Sequence, residues 1–468
     1  MKKRLLAVLL ATVIVMGLAG CGDSGNEENK VDSSQETVSD SGQPEEETVS
    51  TEDSEADKTP KTEQTEDIQL AITWWGSQAR ADLTQEALSL YESQNPGITF
   101  DGQFLAGADY WNKLATSAAG HTMADVVQMD KSYIQQYVDN SMLVDLQPFV
   151  DSGVINLSDV DKGIQEFGRV GDGLYAVCIG VNSPALLYNK SLLDENGIAV
   201  KDNMTMDEFL DVCRQVYEKT GYRTNLQYNN GTSFMDFFLR ASGETMFRDG
   251  KIGASKENAA AYFNLYEVGR EEGWLIDPSV FAEVAIGQPE QEPLVYGSSP
   301  ERMSWCAFYF SNNMAAVTKA APEGMEIGIT TWPSDDAEKS NYLKPAMFFS
   351  VSVDSKNPEE GAKLIDFWTN SVECNEILLG ERGVPVSAKV AEAITPKLSE
   401  SDQKVVAFIN DVVTPKCSDV SPASPNGATE VYDLVYKLEE AICYGEKTAQ
   451  EAADEFIQKA DEILANKQ

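Results

Sequence analysis

The chain has 468 residues, 42% of them hydrophobic, enough for more than one domain with a real core. Its formal net charge of -40 excludes a non-specific nucleic-acid binder, which needs Lys and Arg to displace counterions, and a surface that adheres to anionic lipid. One histidine and six scattered cysteines beyond Cys21, none in a CxxC pair, leave almost no ligands for zinc or haem, so neither a metal nor a cofactor is expected.

Lys2, Lys3 and Arg4 precede an apolar run over 5–20, which has the form of a signal-peptide core. The run ends in Leu18-Ala19-Gly20-Cys21, which resembles a bacterial lipobox. That resemblance implies that residues 1–20 are a lipoprotein signal peptide and that Cys21 is lipidated; two acyl chains give the stable anchor that one does not. Residues 21–67 are rich in Ser, Thr, Asp, Glu and Gln and carry no aromatic side chain. They cannot bury enough surface to fold and read as a self-repelling tether.

Order begins at Ile68. IQLAITWW (68–75) reads as a buried strand, and 81–94 as a helix with Leu83, Ala87, Leu90 and Tyr91 on one face, stopped by Asn95-Pro96-Gly97. ITFDGQF, YWNKLATSAAG, DVVQM and SYIQQYVDN continue the alternation of strand and helix, and GLYAVCIGV (173–181) reads as another strand. Such a βα rhythm predicts an α/β sandwich with a largely parallel sheet. Thr205 with Glu208 forms a capping box, Asn357-Pro358 opens a helix with Gly361, Leu364, Ile365 and Trp368 on its inner face, and Thr448-Ala449-Gln450-Glu451 opens the last helix. The six cysteines Cys178, Cys213, Cys306, Cys374, Cys417 and Cys443 read mainly as buried thiols, although a disulfide is open to an exported chain.

The order of ITWWG (72–76), YWNKLATSAAGHTMADVVQMD (110–130), GLYAVCIGVNSPALLYNKSLL (173–193), MSWCAFYFSNN (303–313), IGITTWP (327–333), SVSVDSKNPEEGAKLIDFWTN (350–370) and RGVPVS (382–387) resembles the family-1, maltose-type extracellular solute-binding proteins of bacterial ABC importers, in their sugar-binding branch. The resemblance covers roughly residues 68 to 465. It implies a periplasmic-binding-protein-like type II fold, with two α/β lobes joined by a multi-segment hinge around a central cleft. Lobe one would hold 68–178 plus 308–348 and lobe two 182–304 plus 352–468, with crossings near 180, 306 and 350. His121, where relatives carry a small residue, departs from the pattern and reads as a solvated loop side chain.

A sugar offers hydroxyls, which need oriented donors and acceptors, and C–H faces, which pack on aromatic rings. Trp74 and Trp75 end the first strand, where ligands of open α/β sheets gather, and alternation sends the two rings to opposite faces. Trp75, nearer the loop, is the better candidate for the cleft. Gly76 and Ser77 offer donors at the helix start; Arg80 offers a bidentate fork or simply faces solvent. Asp130 follows a strand, as a hydroxyl acceptor or a helix cap. Asn229 and Asn230 suit hydroxyls or a plain turn. The resemblance implies a stacking ring near the second crossing, from among Trp305, Phe308, Tyr309 and Phe310, of which Trp305 and Tyr309 are chosen, and a cleft-side role for Arg382; Glu430, on a late helix, is a weaker choice.

The function expected from this reading is capture of a neutral oligosaccharide by a monomer, anchored by lipid on the outer face of the cytoplasmic membrane, and its delivery to permease subunits. A peptide, polyamine or other cationic ligand on the same fold, and a surface glycosidase, are the alternatives. No nucleophile elbow, HExxH, P-loop or GxGxxG is present, and no enzyme is expected.

Overall fold

The computed structural model describes residues 67–226, 233–284, 288–422 and 424–466. The signal peptide, Cys21, nearly all of the tether, Asn229 and Asn230 lie outside the described residues. The folded body is the unit Gln64–Gln468.

Strand β1 (Ile68–Trp75) buries Leu70, Ile72 and Trp74 and leaves their neighbours partly exposed, the period-two pattern of a sheet covered on one face. It is followed by α1 (Gln78–Gln94), β2 (Ile98–Leu105), α2 (Gly107–Ala119), β3 (Val126–Met129) and α3 (Lys131–Asp139). β1 pairs in parallel with β2 and β3, Ile72 standing opposite both Gly102 and Val126. The inner face of α1 is Ala81, Thr84, Ala87, Leu88 and Tyr91; Leu83 and Leu90 sit at its flank. The expected face was rotated because a threonine takes a core position there, for a reason given below.

The run 173–181 is not one strand. Gly173–Leu174 pairs with Arg169–Val170, and β4 (Val177–Asn182) starts afresh. After Ser183 alone, the chain continues as β5 (Pro184–Asn189) in a different sheet. Helices α4 (Met206–Thr220), α5 (Ser233–Arg240) and α6 (Lys256–Glu272) follow, then β6 (Cys306–Phe310), α7 (Met314–Ala320) and β7 (Ile327–Thr330). β6 and β7 flank β5, antiparallel to it, in the order β6-β5-β7.

Strand β8 (Lys344–Val351) returns to the large sheet, α8 (Pro358–Asn370) and α9 (Val372–Leu378) follow, and β9 (Val384–Pro385) completes the order β9-β4-β8-β3-β1-β2. β8 runs antiparallel to both β3 and β4. The sheet is therefore mixed rather than largely parallel, because β8 arrives from the small-sheet side and enters from the opposite end. Helix α10 (Glu400–Ala407) continues into a π-helical stretch, Phe408–Val413; α11 (Ala428–Cys443) and α12 (Ala449–Ala465) end the body.

These pairings move the expected lobe boundaries. β6 and β7 belong to the small sheet, so 308–330 falls in the second lobe. Helix α8 lies on the large sheet, with Gly361 so close to Val351 and Val126 that a Cβ would stand 3.0 and 3.2 Å from their methyls, so the segment after 352 falls in the first. The chain thus changes sheet at Ser183 and again between β7 and β8, with a third passage between Val413 and Ala428, which lie in different cores. Positions 306 and 350 lie inside strands.

Arg240 ties the last two passages together. Its buried guanidinium donates to the carbonyls of Lys339 (3.2 Å) and Ser340 (3.1 Å) and to the hydroxyls of Ser418 (2.6 Å) and Ser421 (2.8 Å). The second core gathers α4, α5, α6, α11 and α12 around Trp305, Phe308 and Trp332. The expected capping box at Thr205 forms, and a second opens the last helix at Thr448. All six described cysteines are thiols, four of them buried. His121 is exposed, with φ of 52° just past α2, a left-handed state that histidine adopts more readily than most non-glycine residues.

Candidate functional site: a polar cleft between two sheets

The cleft, about 620 Å3, is bounded on the first lobe by Arg80, Asp130, Asn182, the start of β8 and the loop 379–383. Phe310 to Asn313, leaving β6, bound it on the second lobe, and α10 flanks it with Asp402, Val405 and Val406. Its position follows from the topology: β1 and β3 are parallel, so the starts of α1 and α3 meet at their carboxyl ends.

Loop 379–383 is held by two close approaches. The Arg382 carbonyl lies 2.1 Å from where a Cβ on Gly180 would be, so only glycine lets the loop reach β4. Gly383 has φ of 102°, open to glycine. Arg382 is 3% exposed and reaches across the core: Nη2 donates to Thr84 Oγ1 (2.7 Å) and Nε to Gln128 Oε1 (3.2 Å). This contact is why Thr84 occupies the inner face of α1. Burial lowers the Arg382 pKa to about 10, with the Glu381 charge opposing the shift. Arg80 donates through Nε to both oxygens of Glu381 (2.7 and 2.9 Å) and through Nη1 to the Trp75 carbonyl (3.1 Å). Arg80 is thus neither free nor solvated; it braces the cleft wall.

Beside Arg80 and Asp130 stands an aromatic cluster. Trp75 packs on Tyr110 and Trp111 with ring centroids 5.3 and 5.1 Å apart, and Trp111 stacks on Tyr133 at 3.9 Å and 17°. Trp75, Trp111 and Tyr133 are partly exposed, whereas Tyr110 is buried and donates to the Gln128 carbonyl at 2.6 Å. Partly exposed, mutually braced rings next to fixed donors and acceptors make a surface suited to a ligand with both C–H faces and hydroxyls.

The structure distributes the candidate residues as follows. Asp130 lines the cleft and also caps α3, accepting from the Ser132 amide at 2.9 Å. Arg80 and Arg382 line it as described. Trp75 is not among the residues that line it; its carbonyl meets Arg80, which does. Trp74 is fully buried against Phe104 and does not reach the cleft. The Gly76 amide donates to the Leu105 carbonyl (3.1 Å) and the Ser77 hydroxyl caps α1 (3.3 Å from the Arg80 amide). Their donors and acceptors close a sheet edge and a helix end. Trp305 is fully buried, donating to Thr224 Oγ1 at 2.9 Å, and Tyr309 donates to Glu292 Oε2 at 2.8 Å. Neither is a cleft platform, because the small sheet is covered on both faces and alternation along β6 leads from one core to the other. Glu430 lies in a separate hollow beside Asp433 and Lys459.

Reasoning from sequence missed Lys344, Glu381, Trp111 and Tyr133, and of the four rings it weighed at 305–310 it chose two others over Phe310, the one that lines the cleft. Trp111 and Tyr133 lie in the first two turns of helices that follow strands, one step beyond the strand ends used to select Trp75 and Asp130; extending that rule into the opening turns of each helix would have reached them. Among the described residues, no group of three or more His, Cys, Asp or Glu side chains is placed to hold a metal ion.

The sequence model of the bacterial extracellular solute-binding proteins matches residues 86–405. A lactose-binding protein of Rhizobium radiobacter is 23% identical over 186 residues, a match that spans 39% of this chain and 43% of that protein. An extracellular solute-binding protein family 1 structure from Alicyclobacillus acidocaldarius superposes with a TM-score of 0.77 at 21% identity, over 86% of this chain and 99% of that one. An oligogalacturonide-binding protein of Yersinia enterocolitica superposes with a TM-score of 0.68 at 20% identity, over 85% and 99%. The fold is the two-lobed type II form. With a family match across more than half its length, the chain belongs to the bacterial extracellular solute-binding proteins, which act outside the cytoplasm.

Proposed function

We propose that the protein captures a carbohydrate in the cleft between its sheets and, anchored through a lipid on Cys21, delivers it to the permease of an ABC importer. The observation that carries this reading is the pairing of the Trp75–Trp111–Tyr133 cluster with a polar cleft lined from both sheets. Relatives named for lactose and oligogalacturonide binding support it. A ligand touching both lobes would favour a narrower arrangement, and the permease would read that shape. The tether would keep the binder near its permease, raising the local concentration.

The test is mass spectrometry of ligand retained by the purified protein, with thermal shifts across a glycan panel. A bound saccharide that raises the melting temperature and contracts the scattering profile is expected. A co-purifying amine, or no shift with any glycan, would sink the reading. Metabolic labelling with a fatty-acid analogue, lost on Cys21→Ser, tests the anchor separately.

A further inference from the structure

The charges of the cleft are unevenly committed. Its three carboxylates all have work to do: Glu381 takes both hydrogen bonds of Arg80 Nε, Asp130 accepts from the Ser132 amide, and Asp402 accepts from the Ser399 hydroxyl at 2.6 Å. Of the three cations, Arg80 and Arg382 share Glu381, the second at 3.6 Å and with its buried Nη1 making no hydrogen bond. Lys344, the third, has no carboxylate within ion-pair distance among the described residues. It opens β8 at the seam of the two lobes, and its ammonium stands 4.4 Å from the ring centre of Phe310, which comes from the small sheet.

Lys344 is exposed to the cleft, yet the walls around it remove enough water to push its pKa below the usual lysine value, against the pull of the Asp130 charge. A surface lysine on a chain this acidic easily finds a carboxylate; this one is held on a ring face with its three donors unspent. An incoming anion would meet an ammonium that is already partly desolvated and need displace no competing carboxylate.

The geometry points to a ligand that carries a carboxylate, a uronic-acid sugar rather than a neutral one, with Lys344 as the residue that selects it. This rests on the carbohydrate reading above and sharpens it, replacing the neutral guest expected from sequence. The overall charge of -40 repels an anion at long range, so selection acts within about one Debye length, roughly 8 Å at physiological salt. The chemistry asks only for a charge-assisted hydrogen bond, with the sugar ring free to use the neighbouring aromatic faces.

The experiment is calorimetric titration of the purified protein with two trisaccharides that differ only at C6, a neutral galactose trimer and its galacturonate counterpart. The acidic sugar is expected to bind at least about tenfold more tightly, the scale of one charge-assisted hydrogen bond, and its affinity to fall as salt rises. Lys344→Met should erase that preference, bringing the acidic trimer to the neutral trimer's affinity or below, and Lys344→Arg should retain most of it. Unchanged melting temperatures would show that both variants are folded. If the neutral trimer binds as well as the acidic one, or Lys344→Met leaves the ratio intact, the charge selection is wrong while the carbohydrate reading stands. If neither trimer nor any glycan of the wider panel binds, both fall together.

Discussion

Ser183 and Ser311 hold each other. The Ser183 amide donates to Ser311 Oγ at 3.1 Å, and the Ser311 amide donates to the Ser183 carbonyl at 2.8 Å. Ser183 is the single residue between the large-sheet strand β4 and the small-sheet strand β5, so the end of β6 pins the point where the chain changes sheet. Both hydroxyl-bearing residues are buried, and an amide left without its acceptor there costs about 1–3 kcal/mol. Ser311→Ala is expected to lower unfolding free energy by about that amount in urea titration. Ser311→Thr, which keeps the oxygen, should lose less. Equal losses for the two would show that crowding, not the hydrogen bond, decides.

The pair Arg80–Glu381 joins α1 to the cleft loop with side chains 14% and 22% exposed. Glu381→Gln leaves two guanidinium groups, Arg80 and Arg382, without their shared countercharge. The expected cost is about 1–3 kcal/mol, below that of a fully buried pair because water still reaches the carboxylate. Hydrogen exchange should show the amides of 379–383 opening more readily than in the parent. Unchanged exchange would mean that the close approach of Arg382 to Gly180 holds the loop without the charges.

A pH dependence follows from Glu439, buried in α11 and accepting from the Tyr262 hydroxyl at 2.6 Å. Burial raises its pKa to about 8, partly opposed by hydrogen bonds from Tyr262 and Tyr266. Between about pH 4.5 and 8 the folded protein keeps a proton that the unfolded chain has released. The stability this group contributes is complete below the unfolded pKa and is lost as pH rises through the folded one, with a slope of at most about 1.4 kcal/mol per pH unit. Glu439→Gln should therefore gain stability relative to the parent as pH rises from 5 to 8.5. Parallel stability curves for the two proteins would count against it.

Two tryptophans give opposite signatures. Trp111→Ala removes one plate of the Trp111–Tyr133 stack and is expected to weaken saccharide binding about tenfold or more, with a small change in melting temperature. Trp305→Ala empties a fully buried site and should cost about 3–5 kcal/mol of stability. If Trp305→Ala proves stable and binding-defective, the assignment of the two rings is reversed.

The sequence was most informative where local rules act alone. The helix starts at Thr205 and Thr448 need only four residues each and lie where the sequence puts them. The two-lobed type II fold was legible from the order of motifs. The lobe boundaries were not, because membership of β6, β7 and β8 depends on which distant strand each one pairs with. Aromatic content misled for the same reason. Trp305 and Tyr309 look available in a sheet with one free face, but a strand with a core on each side has none. Conversely, Lys344 gives no local signal; its importance comes from standing in the cleft with no ion-pair partner among the described residues, which only three dimensions reveal.

The described cysteines have a practical consequence. Burial raises the pKa of each of the six, to about 12 for Cys178, Cys213, Cys374 and Cys443, so at neutral pH almost none is present as the thiolate that attacks an electrophile. A cysteine introduced at the exposed rim, for instance in place of Leu379, would react with a maleimide dye ahead of these six. With Cys21 acylated or replaced, the native framework would not first need stripping of its sulfur, and a fluorophore at that rim would report ligand arrival as a change in brightness.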